Sequence, residues 1–133
     1  MNIMIIVYAV LAYFIGSIPS GLIIGKTFFN TDVRQYGSKN IGATNTYRVI
    51  GLKAALPVFL CDALKGAAGV VLLSSYGPMY MILGGILAMM GHNWSIFLGF
   101  KGGRGVATGL GVLIALSPLV ALICFLVWGI IVY

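Results

Sequence analysis

The sequence predicts an all-α integral membrane protein, a polytopic helical bundle of about five spans joined by Gly-rich cytoplasmic loops. Hydrophobic residues make up 61% of the 133 positions, and the chain carries only eight Lys and Arg residues and two Asp and Glu residues. A soluble domain of this length needs more polar surface than such a composition supplies. The apolar residues also gather in runs that are long enough to cross a lipid bilayer.

The first predicted span is the apolar run from Ile3 to Ile24. As a helix rising about 1.5 Å per residue, it would cross a hydrocarbon core of roughly 30 Å. Its centre reads Gly16-Ser17-Ile18-Pro19-Ser20-Gly21, where Pro19 removes a backbone donor and predicts a kink. Two interpretations stay open: the small residues allow close helix packing, or the helix opens toward a site and Ser hydroxyls bond the freed backbone groups.

A polar loop follows from Lys26 to Lys53. It contains one acidic residue, Asp32, and five basic residues, namely Lys26, Arg34, Lys39, Arg48 and Lys53. Because an excess of Lys and Arg marks cytoplasmic loops, we expect this loop in the cytoplasm and the N-terminus outside. Residues 37–48, the first Gly-rich segment, are crowded with hydrogen-bond donors and end in an arginine.

The second predicted span, about Ala54 to Ser74, contains Asp62 and Lys65. Three residues apart on a helix, these side chains share a face and can pair. Ionisable groups inside a membrane are costly without partners, so one interpretation is a functional or supporting pair that points into the bundle. The alternative is a lysine near the cytoplasmic end that extends its ammonium to the interface beside its counter-ion.

The third predicted span, about Met79 to Phe97, contains the only histidine, His92. This residue is either a hydrogen-bonding group at the end of a helix or part of a site, since a basic loop follows it closely. No Cys, Asp or Glu lies near it in sequence, so we expect no metal site. Cys61 and Cys124 fall in apolar segments and are expected to be small buried side chains without a disulfide.

Residues 100–108, the second Gly-rich segment, combine Lys101 and Arg104 with Thr108 and three glycines, Gly102, Gly103 and Gly105. Glycine lets backbone amides approach a ligand, and the cations complement phosphate. The segment is not a Walker A loop and follows no strand pattern, so taken alone it fits either a phosphate site or a charged turn. Its charge places it on the same side as the first segment, and the two can meet at one mouth of the bundle.

The last part of the chain is apolar on both sides of Ser117-Pro118. Residues 106–116 are too few to cross a membrane upright, so this part is either one Pro-kinked span or two helices, the second over residues 119–133. Because the chain stops inside an apolar run, we expect it to be a fragment of a longer protein.

Four motifs occur in order along the chain: Gly16-Ser17-Ile18-Pro19; Gly37-Ser38-x-Asn40-x-Gly42-Ala43-Thr44-Asn45 with Arg48; Asp62-x-x-Lys65-Gly66; and Gly91-His92 followed by residues 100–108. Together they resemble the bacterial acyl-phosphate-dependent glycerol-3-phosphate acyltransferases, the PlsY family. That family usually carries a second lysine where this chain has Arg104, a change that keeps the charge but replaces a point donor with a planar fork. The resemblance implies a single transmembrane acyltransferase domain over residues 1–133, incomplete at its C-terminus.

The resemblance implies an enzyme of phospholipid biosynthesis in the bacterial inner membrane. It would transfer a fatty acyl group from acyl phosphate to the 1-hydroxyl of sn-glycerol 3-phosphate, giving lysophosphatidic acid and phosphate. Its partners would be these two substrates and membrane lipid, without a cofactor or nucleic acid, and the oligomeric state stays open. The alternative is a membrane transporter of a phosphorylated solute, although the two Gly-rich segments lack the ordered similarity of an inverted repeat.

The candidate phosphate-binding residues are Ser38, Asn40, Thr44, Arg48, Lys101, Gly102, Gly103, Arg104 and Gly105. The candidate catalytic residues are Ser38, Arg48, His92, Lys101 and Arg104, and the supporting residues are Asn45, Asp62, Lys65 and Thr108. Acyl phosphate carries a good leaving group, and the sequence shows no Ser-His-Asp or Cys-His arrangement. We therefore expect direct attack, with the proton passing to a substrate phosphate oxygen or to His92.

Overall fold

The structure is a computed structural model that describes residues 2–132. These residues form seven α-helices and three short 3-10 turns, with no β-strand among them. The helices are α1 (Ile3–Ser17), α2 (Ser20–Phe29), α3 (Ala43–Val49), α4 (Leu52–Leu72), α5 (Pro78–Asn93), α6 (Val106–Leu116) and α7 (Pro118–Val132). The turns are Val33–Gln35, Ser74–Tyr76 and Ile96–Leu98. The predicted all-α fold class is confirmed.

The first predicted span consists of two helices, because the chain unwinds at Ile18 and Pro19. Proline disfavours helical backbone angles in the residue before it, and Ile18 has a ψ of 117°. The axes of α1 and α2 are bent by 44°. The break leaves carbonyls for partners outside the helix: that of Ser17 accepts from the Ser95 hydroxyl, and that of Ile18 accepts from the Lys65 ammonium at 2.8 Å.

Two helical stretches, Leu52–Tyr76 and Pro78–Leu98, are long and apolar enough to cross a membrane. The bent pair of α1 and α2 makes a third if both helices belong to one span. The apolar helices α6 and α7 are shorter, with 11 and 15 residues, and Ser117 separates them as two helices. The predicted number of about five spans is therefore reached only when α6 and α7 are each counted. Tyr133, the predicted end of the last helix, lies outside the described residues.

Small residues allow the helices to touch through their backbones. Gly16 in α1 lies against the carbonyl of Ala88 in α5, and Gly66 in α4 lies against the carbonyl of Thr108 in α6. A side chain at either glycine would separate the two helices, because a helical backbone cannot move aside alone. The close packing of the small residues is thus observed, and the helix is also broken at Pro19. The carbonyls at the break accept from Ser95 and Lys65 rather than from the serines of the break, and residues 16–21 do not line the cavity described below.

Both cysteines, Cys61 and Cys124, are exposed on the outer surface of the bundle. The prediction that they are buried is wrong for a physical reason. A membrane helix is apolar on its lipid-facing side as well as on its packed side, so hydrophobicity does not distinguish the two sides. The same holds for α7, where Ala121 is the only buried residue in the described part.

Candidate functional site

The two Gly-rich segments line one cavity of about 210 Å³. The first segment contributes Ser38, Asn40, Gly42, Ala43, Thr44, Asn45 and Arg48, and the second contributes Arg104, Gly105, Val106 and Ala107. The spans add Phe59 and Asp62 from α4 and His92 from α5. The structure thus brings together two segments that are more than fifty residues apart in sequence, as their shared charge predicted.

The first segment is held in shape by the side chain of Asn45, which is 2% exposed. Its Oδ1 accepts from the amide of Ser38 at 2.9 Å, and its Nδ2 donates to the carbonyls of Val33, Tyr36 and Asn40 at 2.9, 3.2 and 2.8 Å. One buried amide therefore satisfies four backbone groups of an irregular loop, which would be costly to bury unpaired. Asn45 shapes the segment and keeps no free polar atom of its own for a ligand.

The other polar side chains of this segment differ in what they leave free. The Oδ1 atom of Asn40 accepts from the amide of Gly42 at 2.8 Å, so only the amide nitrogen of its side chain is available. The hydroxyl of Ser38 has no hydrogen-bond partner among the described residues. Thr44 and Arg48, both exposed, extend from α3 at the cavity. The segment therefore offers the cavity hydroxyls, an amide donor and a guanidinium.

The second segment is docked onto the end of α5. The amides of Gly102 and Gly103 donate to the carbonyls of Asn93 and His92, each at 3.0 Å. Gly103 also lies so close to Nε2 of His92 that an added Cβ would collide with the ring. The sequence placed Gly102 and Gly103 among the phosphate-binding residues. In the structure their amides are already used within the protein, and neither residue lines the cavity.

Free backbone donors lie a few residues further on, at the start of α6. Gly105 adopts a left-handed conformation, with φ of 74°, and turns the chain into this helix. The amides of Val106 and Ala107 have no partner within the helix, and none of the described groups outside it accepts from them. Since both residues line the cavity, the positive end of an 11-residue helix meets it.

Two cations line the cavity, Arg48 and Arg104. Each comes from a different segment, and neither forms an ion pair with Asp32 or Asp62, the only acidic side chains of the chain. Lys101, which the sequence grouped with them, is exposed and does not line the cavity. Within residues 2–132, the two arginines are thus positive charges at the cavity without an acidic partner and are available for an anion.

Behind the cavity, Asp62 and Lys65 form a buried ion pair, with Nζ 2.8 Å from Oδ1. The ammonium also donates to the carbonyl of Ile18 at 2.8 Å. Lys65 is 6% exposed and turned inward, so the alternative of a lysine that reaches for the interface is excluded. It does not line the cavity, whereas Asp62 and His92 do, with Oδ1 3.7 Å from Nδ1.

Four buried polar atoms near this end of the bundle have no hydrogen-bond partner among the described residues: Asp62 Oδ1, which Lys65 contacts as an ion pair, His92 Nδ1, Asn93 Oδ1 and Thr108 Oγ1. Thr108, a residue of α6, is fully buried against Gly66 of α4 and does not line the cavity. The part of the chain that the structure describes contains no cluster of three or more His, Cys, Asp or Glu side chains suited to a metal ion.

A separate ion cluster lies beyond the end of α2. Asp32 Oδ2 is 2.8 Å from Arg34 Nη2 and 3.4 Å from Lys26 Nζ. Hydrogen bonding from the Arg34 guanidinium holds the pKa of the Asp32 carboxyl well below its usual range. None of the three residues lines the cavity, so this cluster stabilises the connection after α2.

The sequence did not single out Phe59, which lines the cavity from α4. An aromatic residue in an apolar span carries no signal that distinguishes a cavity wall from a lipid-facing side chain. Val106 and Ala107 belong to the second Gly-rich segment, but their unpaired amides depend on where α6 begins. No residue type marks that boundary by itself.

Comparisons with known proteins point to one family. Residues 6–133 match the family described as glycerol-3-phosphate acyltransferase. The chain is 46% identical over 128 residues to the glycerol-3-phosphate acyltransferase of Fusobacterium nucleatum, an alignment that covers 95% of this chain and 66% of that protein.

The fold is similar to crystal structures of PlsY (YgiH), an integral membrane glycerol 3-phosphate acyltransferase. The glycerol 3-phosphate form has 42% sequence identity and a TM-score of 0.88, covering 96% of this chain and 64% of that one. The lysophosphatidic acid form has 42% identity and a TM-score of 0.85, covering 95% and 64%. The chain thus spans slightly less than two thirds of the length of these proteins.

Proposed function

Because the chain belongs to the glycerol-3-phosphate acyltransferase family, we propose that it transfers a fatty acyl group from acyl phosphate to the 1-hydroxyl of sn-glycerol 3-phosphate. The products are lysophosphatidic acid and inorganic phosphate. The forms in which PlsY was crystallised, with glycerol 3-phosphate and with lysophosphatidic acid, support this choice of acceptor and product.

The observation that carries the proposal is the meeting of Arg48 and Arg104 at one cavity beside the start of α6. Both substrates carry a phosphate, and a guanidinium can bind two phosphate oxygens at once. The cavity also has an apolar side, because Phe59 and Val106 line it and are 36% and 79% exposed on the outer surface of the bundle. Cations next to an apolar, lipid-facing edge suit a phosphate that is attached to an acyl chain.

The reaction follows as a single displacement. The 1-hydroxyl oxygen of glycerol 3-phosphate attacks the carbonyl carbon of acyl phosphate, the new carbon–oxygen ester bond forms, and the carbon–oxygen bond to phosphate breaks. The hydroxyl proton passes to an oxygen of the departing phosphate or to His92, which is 3% exposed and lines the cavity. Arg48 and Arg104 hold the phosphates and stabilise the negative charge of the transition state.

The chain is an integral membrane protein, and we place it in the bacterial inner membrane with the cavity facing the cytoplasm and the N-terminus outside. The excess of basic residues in the loop between α2 and α4 supports this orientation. In a variant without native cysteines, the exposed Lys39→Cys should react with a membrane-impermeant thiol reagent only after the inner membrane is opened. Labelling of intact spheroplasts would contradict the orientation.

The activity is tested by mixing the complete purified protein with acyl phosphate, with and without glycerol 3-phosphate, and measuring inorganic phosphate. We expect phosphate release that requires both substrates and is matched by the lysophosphatidic acid formed. Proteoliposomes that take up glycerol 3-phosphate without chemical change, and release no phosphate, would instead identify a transporter and contradict the acyltransferase.

A further inference from the structure

Residues 94–101, the aromatic segment, lead from the end of α5 into the second Gly-rich segment. The proposed displacement uses none of them, and none lines the cavity. Trp94, Phe97 and Phe100 are nevertheless 54 to 58% exposed, and the exposed cation Lys101 ends the segment. Three rings and a cation outside the α-helices distinguish this surface from the lipid-facing sides of the spans.

The backbone of the aromatic segment turns back on itself and is tied to α1. The amide of Phe100 donates to the carbonyl of Ser95 at 2.8 Å. The hydroxyl of Ser95 donates to the carbonyl of Ser17, and the hydroxyl of Tyr13 donates to the carbonyl of Trp94 at 2.7 Å. Because these contacts fix the backbone, the rings are held outward and little conformational entropy is lost when they bind.

The length of the preceding helix places the aromatic segment at the edge of the hydrocarbon core. The helical stretch Pro78–Leu98 has 21 residues, which is about 31 Å as a helix, against a core of roughly 30 Å. It follows the turn Ser74–Tyr76, where the preceding span ends. If that turn lies at one surface of the bilayer, the aromatic segment lies at the other.

The backbone and the side chains of the segment have different needs, and only this boundary meets both. The carbonyls of Gly99 and Phe100 accept from none of the described groups, so they need water or lipid headgroups, which the hydrocarbon core does not supply. The exposed rings beside them are apolar and favour removal from water. Tryptophan is enriched where hydrocarbon meets headgroups, because its ring is amphipathic.

The charge of the segment favours an anionic surface. The only acidic residues of the sequence are Asp32, which pairs with Lys26 and Arg34, and Asp62, which pairs with Lys65. Lys101 therefore has no acidic partner among the described residues. Membrane surfaces that contain anionic phospholipids attract lysines close to a span.

We propose that the aromatic segment is an interfacial anchor, in which the rings lie in the headgroup layer and Lys101 binds the phosphate of anionic phospholipids. The same backbone continues into Gly102 and Gly103, whose amides bond the end of α5. The anchor would thus hold the second Gly-rich segment at the membrane surface. This inference assigns a lipid contact and does not depend on acyl transfer.

Tryptophan fluorescence tests the position of the rings. The complete protein, with Trp94 as its only tryptophan, is placed in vesicles of phosphatidylcholine and phosphatidylglycerol. Lipids brominated near the headgroup end of their chains should quench its emission more than lipids brominated near the chain end. The control carries Trp94→Phe and Tyr36→Trp, since Tyr36 is equally exposed but lies in the polar loop. Its emission should be quenched by soluble acrylamide and not by bromine.

Lys101→Gln tests the preference for anionic lipid. Bromine is placed on either phosphatidylglycerol or phosphatidylcholine, and the ratio of the two quenching efficiencies measures the enrichment of anionic lipid beside Trp94. We expect an enrichment of about fivefold that disappears in Lys101→Gln, because one lysine near an anionic surface contributes a factor of this size. Lys53→Gln removes another exposed cation and should keep the enrichment.

Quenching of Trp94 by acrylamide alone would overturn the anchor. Emission that neither bromine nor acrylamide quenches would overturn it too, because protein, either another part of the complete chain or a second copy, would then cover the segment. An enrichment that is absent, or that survives Lys101→Gln, would contradict the role of the lysine. These measurements contain no substrate, so a protein that releases no phosphate can still confirm the anchor.

Discussion

At the residue scale, one buried amide organises the loop that supplies half of the cavity. The side chain of Asn45 bonds four backbone groups, those of Val33, Tyr36, Ser38 and Asn40. The chain folds back on itself here with two residues in the left-handed conformation, Gly37 and Lys39, at φ of 56° and 61°. Such a loop depends on satisfied backbone groups, since it has no helical ladder to supply them.

Asn45→Ala should therefore destabilise the protein and loosen the cavity together. It leaves one amide and three carbonyls without their partner, and we expect a loss of about 2 to 4 kcal/mol in the free energy of unfolding. Denaturant unfolding in detergent micelles measures the change. Gln35→Ala removes an exposed side-chain amide from the same loop and should stay within about 0.5 kcal/mol of the wild type. Equal stability of the two variants would contradict the role given to Asn45.

The sequence indicated which segments lie at the cavity, because each combines charge with Gly and hydroxyl groups, but it did not indicate which residues of a segment turn toward it. Arg48 and Arg104 were both expected at the site, and both line the cavity. Lys101 and Gly103 belong to the same motif as Arg104, yet they do not line it. The difference arises because the amides of the second segment dock onto the end of α5, a contact between distant parts of the chain. Spacing along the chain carries no information about it.

At the element scale, the helices meet where glycine replaces a side chain, and these contacts hold the two sides of the cavity together. α4 carries Asp62 and Phe59, α6 carries the free amides, and the two helices touch through Gly66 and the carbonyl of Thr108. The helix bounds were predictable to within a few residues for the middle spans. The separation of α1 from α2 was predicted only as a kink at a proline.

Gly66→Ala should separate α4 from α6. The added methyl group would meet the carbonyl oxygen of Thr108, which belongs to a helix backbone, and we expect a cost of about 1 to 3 kcal/mol in stability. Thermal unfolding in detergent gives the measurement. Gly129→Ala is the matched control, because an added Cβ would meet no described atom beyond its own helix backbone within 4 Å and alanine favours a helix there. A Gly66→Ala protein as stable as Gly129→Ala would show that the helices do not depend on this contact.

At the scale of the whole molecule, the distribution of charge along the chain predicted that the two Gly-rich segments lie close together. Two basic loops separated by an even number of crossings must lie on one side of a membrane, and this led to the expectation that both Gly-rich segments would meet. The structure places Arg48 and Arg104 at one cavity, although 55 residues separate them. Asn45 holds the first segment in shape, and the end of α5 holds the second. A single sequence does not display these contacts.

We propose that Arg48 and Arg104 together bind the phosphates of the reaction. The decisive measurement is kcat/KM for phosphate release in the complete protein with Arg48→Ala, Arg104→Ala and Lys53→Ala, the last an exposed cation outside the cavity. Each arginine variant should lose on the order of 30- to 1000-fold, about 2 to 4 kcal/mol of transition-state stabilisation, while Lys53→Ala stays near the wild type. Near-normal release by either arginine variant would show that the two arginines do not bind the phosphates together.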